Sequence, residues 1–172
     1  MEIIHISAEC YPMAKAGGLA DVVGALPKYQ QNLGHIAKVV MPMHRTKFLY
    51  DNEWVVEHKG NFGMGVARYD FTIIREKTGK LGFDLFCVDI YGLLDRENIY
   101  RYDDDTERFT AFQIAVLEWM SQWEHKPDVV HVHDHHTALV PFMMQHCFAY
   151  RHLAGIKTVL TIHNAQYQGW MG

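Results

Sequence analysis

Cysteine is scarce in this sequence, and its spacing excludes the usual structural uses of the residue. The three cysteines, Cys10, Cys87 and Cys147, are odd in number, far apart and set among apolar neighbours. This pattern is typical of reduced thiols and not of a disulfide framework, and no CxxC pair is present of the kind that holds zinc. We therefore expect a protein of a reducing compartment, the cytoplasm.

An excess of positive charge and long apolar stretches are also missing. Lys and Arg number 16 against 20 Asp and Glu, which leaves a formal net charge of −4. Such a chain is not expected to bind nucleic acid or an anionic membrane surface. No apolar run approaches the roughly 18 residues of a membrane span, and the N-terminus has no cationic leader. With 172 residues, the sequence predicts one soluble domain.

What is present is an alternation of apolar runs and amphipathic segments. The first part of the chain predicts a β-loop-α-β unit, with a strand at 3–8, a loop at 9–18, a helix from Leu19 to a stop at Gly34, and a strand at 36–41. Pro27 is expected to kink this helix. The middle predicts a β-hairpin or meander, with strands at 54–58, 67–76 and 83–88 and turns at 61–65 and 78–80.

The last part again predicts alternating elements, with a polar loop at 96–105, a helix at 107–123, a strand at 128–133, a helix at 137–150 and a strand at 157–162. The expected fold class is α/β, a Rossmann-like, doubly wound and mostly parallel sheet with the hairpin or meander as an insertion. Ligands of such sheets bind beyond the carboxyl ends of the parallel strands. That rule selects three loops as candidate sites, at 9–18, 133–137 and 163–169.

The first loop has the composition of an anion-binding turn. Gly17 and Gly18 precede the predicted helix, so the backbone can approach a ligand, and the free N–H groups of the first helical turn are expected to point at it. Lys15 adds a cation, and a phosphate would fit there. The spacing matches neither GxGxxG nor the Walker loop, so a tight turn with a surface lysine is an equal alternative on spacing alone.

The second loop follows a cluster of histidines, with four of the chain's 12 at positions 131–136. On a strand His131 and His133 share a face, while Asp134 and His135 lie in the turn, where side chains can reach a ligand. Clustered His and Asp can also bind zinc or iron. However, the HxHxDH pattern of metallohydrolases needs Asp at His135, and Asp134 comes one position early. Hydrogen-bonded structural histidines, at least for His131, are the other alternative.

The third loop leaves an apolar strand with side chains suited to a sugar. His163, Asn164 and Gln168 can hydrogen-bond hydroxyl groups, and Tyr167 can stack on a pyranose ring. A single histidine at a strand end is as often structural as functional. The residues of this loop alone therefore leave both possibilities open.

Taken together, the three loops carry ordered motifs, which are KAGGLADV at 15–22 with GALP at 24–27, PDVVHVHD at 127–134, and TIHN at 161–164 with YQG at 167–169. They resemble KxGGLxDV, GALP, PDVVHxHDWHT and TIHNxxYQG of bacterial glycogen synthases and plant starch synthases. The resemblance extends from Ile3 to Gly169. It departs at His135, where the family usually has Trp, and this puts the acceptor or sugar contacts of that indole in doubt.

The resemblance implies a two-domain GT-B glycosyltransferase. Such an enzyme transfers glucose from ADP-glucose to the non-reducing end of an α-1,4-glucan with retention of configuration, and needs no metal or other cofactor. This chain, 1–172, would be the N-terminal, acceptor-side domain, and the donor-binding C-terminal domain would be absent. We expect the chain alone to be inactive. The expected partners are the nucleotide sugar, the glucan acceptor and that missing domain, with no nucleic acid and no membrane.

The resemblance also implies roles for individual residues. Lys15, with the Gly17-Gly18 backbone, would contact the diphosphate, and Asp21 would support their loop. Asp134 would shape the sugar and acceptor pocket, and His163 would hydrogen-bond the transferred glucose near its reacting centre; these two are the catalytic candidates. The remaining substrate-binding candidates are His135, Asn164, Tyr167 and Gln168. The alternatives are a non-catalytic glucan-binding module and a metal-dependent hydrolase that uses the cluster at 131–136.

Overall fold

The structure, a computed structural model, describes residues 1–163 as one layered α/β sheet. Its strands are β1 (Glu2–Ile6), β2 (Ile36–Pro42), β3 (Trp54–Met64), β4 (Ala67–Glu76), β5 (Asp84–Asp89), β6 (Val129–His133) and β7 (Lys157–Thr161). Its helices are α1 (Gly18–Asn32), α2 (Lys47–Asp51), α3 (Asp105–Ser121) and α4 (Leu139–His146), with 3-10 turns at His135–Thr137 and Phe148–Leu153.

The seven described strands form one sheet in the order β3-β4-β5-β2-β1-β6-β7. Strands β5, β2, β1, β6 and β7 run parallel to one another, whereas β3 and β4 pair antiparallel and extend one edge. This confirms the Rossmann-like fold class and the inserted hairpin. Strand β1 lies between β2 and β6, with His5 opposite both Val39 and His131.

Each face of the sheet carries its own apolar core, as the alternation of side chains along a strand requires. Ile4 and Ile6 of β1 join the larger core, which packs against α3 and α4. Val39 and Met41 of β2 join the second core together with Leu19 from α1. His5 points away from the larger core, and its imidazole is fully buried. The site histidines therefore share the α1 side of the sheet.

The hairpin turn lies later than the sequence predicts. A turn was expected at 61–65, but β3 pairs with β4 without interruption from Gly60 to Met64, which lies opposite Ala67. The reversal takes only two residues, Gly65 and Val66, and Gly65 has a φ of 62°. A two-residue hairpin loop of this kind favours glycine, because the backbone must enter the positive-φ region.

Two helices also differ from prediction. The helix expected at 137–150 is interrupted, because Cys147 has an extended backbone (φ −85°, ψ 125°) between α4 and the 3-10 turn that follows. The short α2 was not predicted, since five residues are too few to show a helical period. Within residues 1–163, no helix combines the length and the apolar character needed to cross a lipid bilayer.

Candidate functional site

The three predicted loops begin at one edge of the sheet. Strands β1, β6 and β7 are parallel neighbours, and their registers place His5 opposite His131 and His133 opposite Thr161. The loops that leave their carboxyl ends therefore emerge side by side, where ligands bind in open α/β sheets. The first runs from Ser7 to Gly17, the second begins at Asp134 and the third at Ile162.

A buried carboxylate organises the first loop. Glu9 is 2% exposed. Its Oε1 accepts hydrogen bonds from the N–H groups of Ala16 (3.2 Å), Gly17 (3.0 Å) and Ala20 (3.2 Å), and its Oε2 accepts one from the Tyr100 hydroxyl (2.7 Å). The N–H groups of Gly17 and Ala20 are therefore not free for a ligand, which narrows the expectation that the free N–H groups of the first turn point at one. A negative carboxylate beside a helix N-terminus is electrostatically favourable, which explains its place there.

Two N–H groups at the start of α1 remain available. Within the described part of the chain, the N–H groups of Gly18 and Leu19 have no hydrogen-bond partner. Among residues 1–163, and apart from the adjoining backbone, no atom lies within 4 Å of a Cβ added to Gly17 or Gly18. The turn is therefore open on the side where a ligand anion would approach.

Lys15 lies beside this opening, on the surface. Its Nζ is 2.7 Å from Oδ2 of Asp21, and both side chains are about half exposed, at 48% and 53%. Asp21 thus holds the lysine near the turn. An exposed pair of this kind contributes little to stability, so the lysine can exchange its partner for a ligand anion at small cost.

Asp134 ties the second loop to the third. Its Oδ1 accepts a hydrogen bond from the backbone N–H of His163 at 2.6 Å, and its own N–H donates to the Thr161 carbonyl at 2.8 Å. The residue is 3% exposed and has a φ of 61°. Asp134 was expected to face a ligand; the structure buries it and uses Oδ1 to hold His163. Among residues 1–163, its Oδ2 accepts no hydrogen bond.

A line of imidazoles runs inward from His163. His163 Nε2 is 3.1 Å from His133 Nδ1, His133 Nε2 is 3.0 Å from His5 Nδ1, and His5 Nε2 is 2.7 Å from the side-chain oxygen of Gln30. His131 stacks on His133 and places its Nε2 2.7 Å from the Thr161 hydroxyl. Sequence reasoning put His131 and His133 on one face, and the structure adds His5 from the neighbouring strand.

Burial keeps these inner rings uncharged. It lowers the pKa of His133 to about 2 and that of His131 to about 4, with the neighbouring histidines adding to both shifts. Burial also lowers the pKa of His5, against an opposing contribution from the Gln30 hydrogen bond. At neutral pH each ring therefore carries one proton and acts as both donor and acceptor.

The same cluster is the one place among the described residues where three imidazoles could share a metal ion. Ligand nitrogens of His5, His131 and His133 lie within 4.8 Å of one another, and the rings are neutral, as metal ligation requires. However, both nitrogens of His5 and of His133 already take part in hydrogen bonds. A metal could bind only by displacing these contacts.

A cavity of about 540 Å³ opens next to the second loop. Its wall includes Tyr100, Arg101, Phe109, His135 and His136. The exposed His135 lies against His136, which stacks on Tyr100 with ring centroids 4.6 Å apart. Because the Tyr100 hydroxyl also binds Glu9, this tyrosine connects the cavity to the glycine-rich turn.

The sequence did not indicate a role for two of these residues, Glu9 and Tyr100. Glu9 lies in the predicted loop at 9–18 and Tyr100 in the predicted polar loop at 96–105. The two lie 91 positions apart, and no local pattern indicates that they meet. The remaining predicted residues, Asn164, Tyr167 and Gln168, lie outside the described part of the chain.

Comparison with known proteins agrees with this geometry. Residues 2–172 match the family model described as the starch synthase catalytic domain. The chain is 52% identical over its full length to a glycogen synthase of Flavobacterium johnsoniae, of which it covers 36%, and 40% identical over 98% of its length to a glycogen synthase of a Hydrogenobaculum species, of which it covers 35%. It thus spans about a third of the length of these curated relatives.

A solved structure shares the fold. The catalytic domain of starch synthase IV from Arabidopsis thaliana, bound to ADP and acarbose, superposes with a TM-score of 0.85 at 30% identity, over 97% of this chain and 34% of that one. The strand order, the ordered motifs and the family match agree with one another. The chain belongs to the starch synthase catalytic domain family.

Proposed function

We propose that this chain forms the acceptor-side part of a glucosyltransferase, which moves glucose from ADP-glucose to the non-reducing end of an α-1,4-glucan in glycogen or starch synthesis. The relatives named above support this proposal, as does the starch synthase IV structure that holds ADP and acarbose. One observation carries it: the open glycine-rich turn with Lys15 follows β1, the turn that bears His163 follows β7, and both lie at the carboxyl edge of the sheet with only β6 between the two parallel strands.

The first turn would stabilise the departing nucleoside diphosphate. The N–H groups of Gly18 and Leu19 lie at the positive end of the α1 dipole, and Lys15 can turn from Asp21 toward a phosphate. Such preorganised donors stabilise charge that grows in the transition state more strongly than charge in the ground state. Glu9 keeps the turn in place without using these two donors.

The second and third loops would hold the sugars. Asp134 fixes the backbone of His163, whose imidazole would hydrogen-bond the glucose that is transferred through an oxocarbenium-like transition state. The acceptor glucan would lie in the cavity beside His135, where Tyr100 and His136 offer stacked rings. His135 would take the place of the Trp usual in the motif that this loop resembles, which affects acceptor affinity more than chemistry.

A direct test is transfer of labelled glucose from ADP-glucose to glycogen by the complete encoded protein. We expect Lys15→Ala to lower kcat by about 100-fold or more, the usual effect of losing one donor to a developing anion. Lys59→Ala is the matched control, because this lysine is exposed on β3, on the hairpin at the far edge of the sheet. Equal kcat in wild type and Lys15→Ala would contradict the proposal.

We also propose that the transfer needs no metal ion, since the leaving diphosphate would be neutralised by Lys15 and the α1 N-terminus. The hydrogen bonds that occupy His5 and His133 support this proposal over a hydrolase built on the histidine cluster. We expect full transfer activity after exhaustive chelation and no stoichiometric zinc, iron or manganese by elemental analysis. Stoichiometric metal that is lost together with activity would contradict it.

A further inference from the structure

The line of imidazoles has a defined chemical end. It runs from His163 at the carboxyl edge of the sheet, which we call the rim, through the buried His133 and His5, to Gln30 in the last turns of α1. Each of the three contacts is between 2.7 and 3.1 Å, within hydrogen-bond range. Three imidazole rings and one amide thus form an unbroken chain from the interior to the proposed sugar site.

Such a chain can be ordered in only two ways. A neutral imidazole donates through one nitrogen and accepts through the other, so the direction of the first hydrogen bond fixes that of all the rest. In the structure, the carbonyl oxygen of Gln30 faces His5, and an oxygen can only accept. His5 then carries its proton on Nε2, His133 donates from Nε2 to His5, and His163 donates from Nε2 to His133.

The consequence appears at the rim. With its proton on Nε2, His163 presents an unprotonated Nδ1, which can accept a hydrogen bond but cannot donate one. If the Gln30 amide group were reversed, all three protons would shift and Nδ1 would become a donor. A side chain on α1 would thus decide what kind of hydroxyl contact His163 can make.

We propose that Gln30 is a positioning residue that acts through His5 and His133 to hold His163 in the Nε2–H tautomer, so that Nδ1 accepts a hydrogen bond from a hydroxyl of the transferred sugar. The assignment of Nδ1 to a sugar hydroxyl rests on the proposed function. The tautomer itself does not, because it follows from contacts within the chain.

The test is nitrogen NMR of the complete encoded protein labelled at histidine, which distinguishes protonated from unprotonated ring nitrogens. Gln30→Lys replaces the acceptor with a group that can only donate, and we expect His163 to change to the Nδ1–H tautomer. Asn32→Lys is the matched control, since it adds the same charge to an exposed position at the end of the same helix. In this control His163 should keep its proton on Nε2.

A second variant covers the case in which Gln30→Lys fails to fold. Gln30→Leu removes the acceptor without adding charge, and we expect both tautomers of His163 to be populated. A single Nε2–H tautomer in Gln30→Leu, or an unchanged tautomer in folded Gln30→Lys, would overturn the proposal.

Activity separates this inference from the proposed function. In Gln30→Lys we expect kcat/KM for ADP-glucose to fall about tenfold, the size of one hydrogen bond lost in the transition state, while Asn32→Lys stays at the wild-type value. A reversed tautomer with unchanged kcat/KM would support control by Gln30 and overturn the assignment of His163 to the sugar.

Discussion

Glu9 shows how one residue can reshape a site that composition alone suggests. Two glycines and a lysine before a helix predict a phosphate site, but three of the backbone donors there, those of Ala16, Gly17 and Ala20, are taken by the Glu9 carboxylate. Burying a carboxylate is costly unless it is hydrogen-bonded, and four partners meet that requirement here. The donors left to a ligand are therefore fewer than the sequence indicates, and they lie one residue further into α1.

A buried histidine outside the line of imidazoles makes stability depend on pH. His44 is fully buried, its Nε2 lies 2.8 Å from the Ala8 carbonyl, and burial lowers its pKa from 6.5 to about 4. Below pH 6.5 the unfolded chain binds a proton that the folded chain does not, so the free energy of unfolding should fall as the pH drops toward 4. Burial also lowers the pKa values of His131, His133 and His136, and these shifts likewise reduce the free energy of unfolding as the pH falls.

The contribution of His44 can be isolated with His44→Gln, whose amide can still donate to Ala8. Urea unfolding between pH 6.5 and 4 should show a slope smaller than wild type by up to about one proton, or about 1.4 kcal/mol per pH unit. The same substitution at the exposed His125 serves as the control. An unchanged slope in His44→Gln would contradict this account of the buried imidazole.

At the scale of elements, α1 carries two glycines with opposite roles. Gly18 faces open space, whereas a Cβ on Gly24 would lie 2.5 Å from the Tyr11 carbonyl oxygen. Gly24 is thus needed for the close approach of α1 to the first loop, and Gly18 is free of any such packing. The pair thus separates a glycine that packing requires from one that, under the proposed function, leaves room for a ligand.

We expect Gly24→Ala to lower the free energy of unfolding by about 1–3 kcal/mol, because the new methyl group forces the loop away from the helix. Gly18→Ala should leave stability unchanged or raise it by up to about 1 kcal/mol. Its added methyl group should nevertheless lower glucose transfer, since it occupies the approach of the diphosphate. Urea unfolding and a transfer assay on both variants check this, and wild-type transfer by folded Gly18→Ala would contradict it.

Local patterns predicted elements well where a period or a turn residue marked them. The parallel strands, α1 and α3 follow from apolar spacing, and β4 has the predicted bounds. The hairpin turn was misplaced because polar Asn61 and two glycines resemble a turn, whereas pairing with β4 carries the chain through them. The break after α4 was missed because nothing near Cys147 in the sequence disfavours a helix.

At the scale of the whole molecule, strand order turns separate motifs into one site. The sequence predicts that the glycine-rich turn and the turns of Asp134 and His163 lie at carboxyl ends of strands. It does not predict that β1, β6 and β7 are adjacent. The adjacency of β1 and β6 is what puts His5 beside His133. Glu9 meets Tyr100 of the segment between β5 and α3, 91 positions away in the sequence. Contacts between residues so far apart in sequence depend on sheet topology, which no local pattern records.

The central claim is that the turns after β1 and β7 bind one nucleotide sugar together. Amide hydrogen exchange of the complete encoded protein, with and without ADP-glucose, tests it most directly. We predict added protection at Gly18 and Leu19 and, at the same ligand concentration, at 162–163, with no change in the β3–β4 hairpin. Protection of only one of the two turns, or of neither, would contradict the claim that they form a single site.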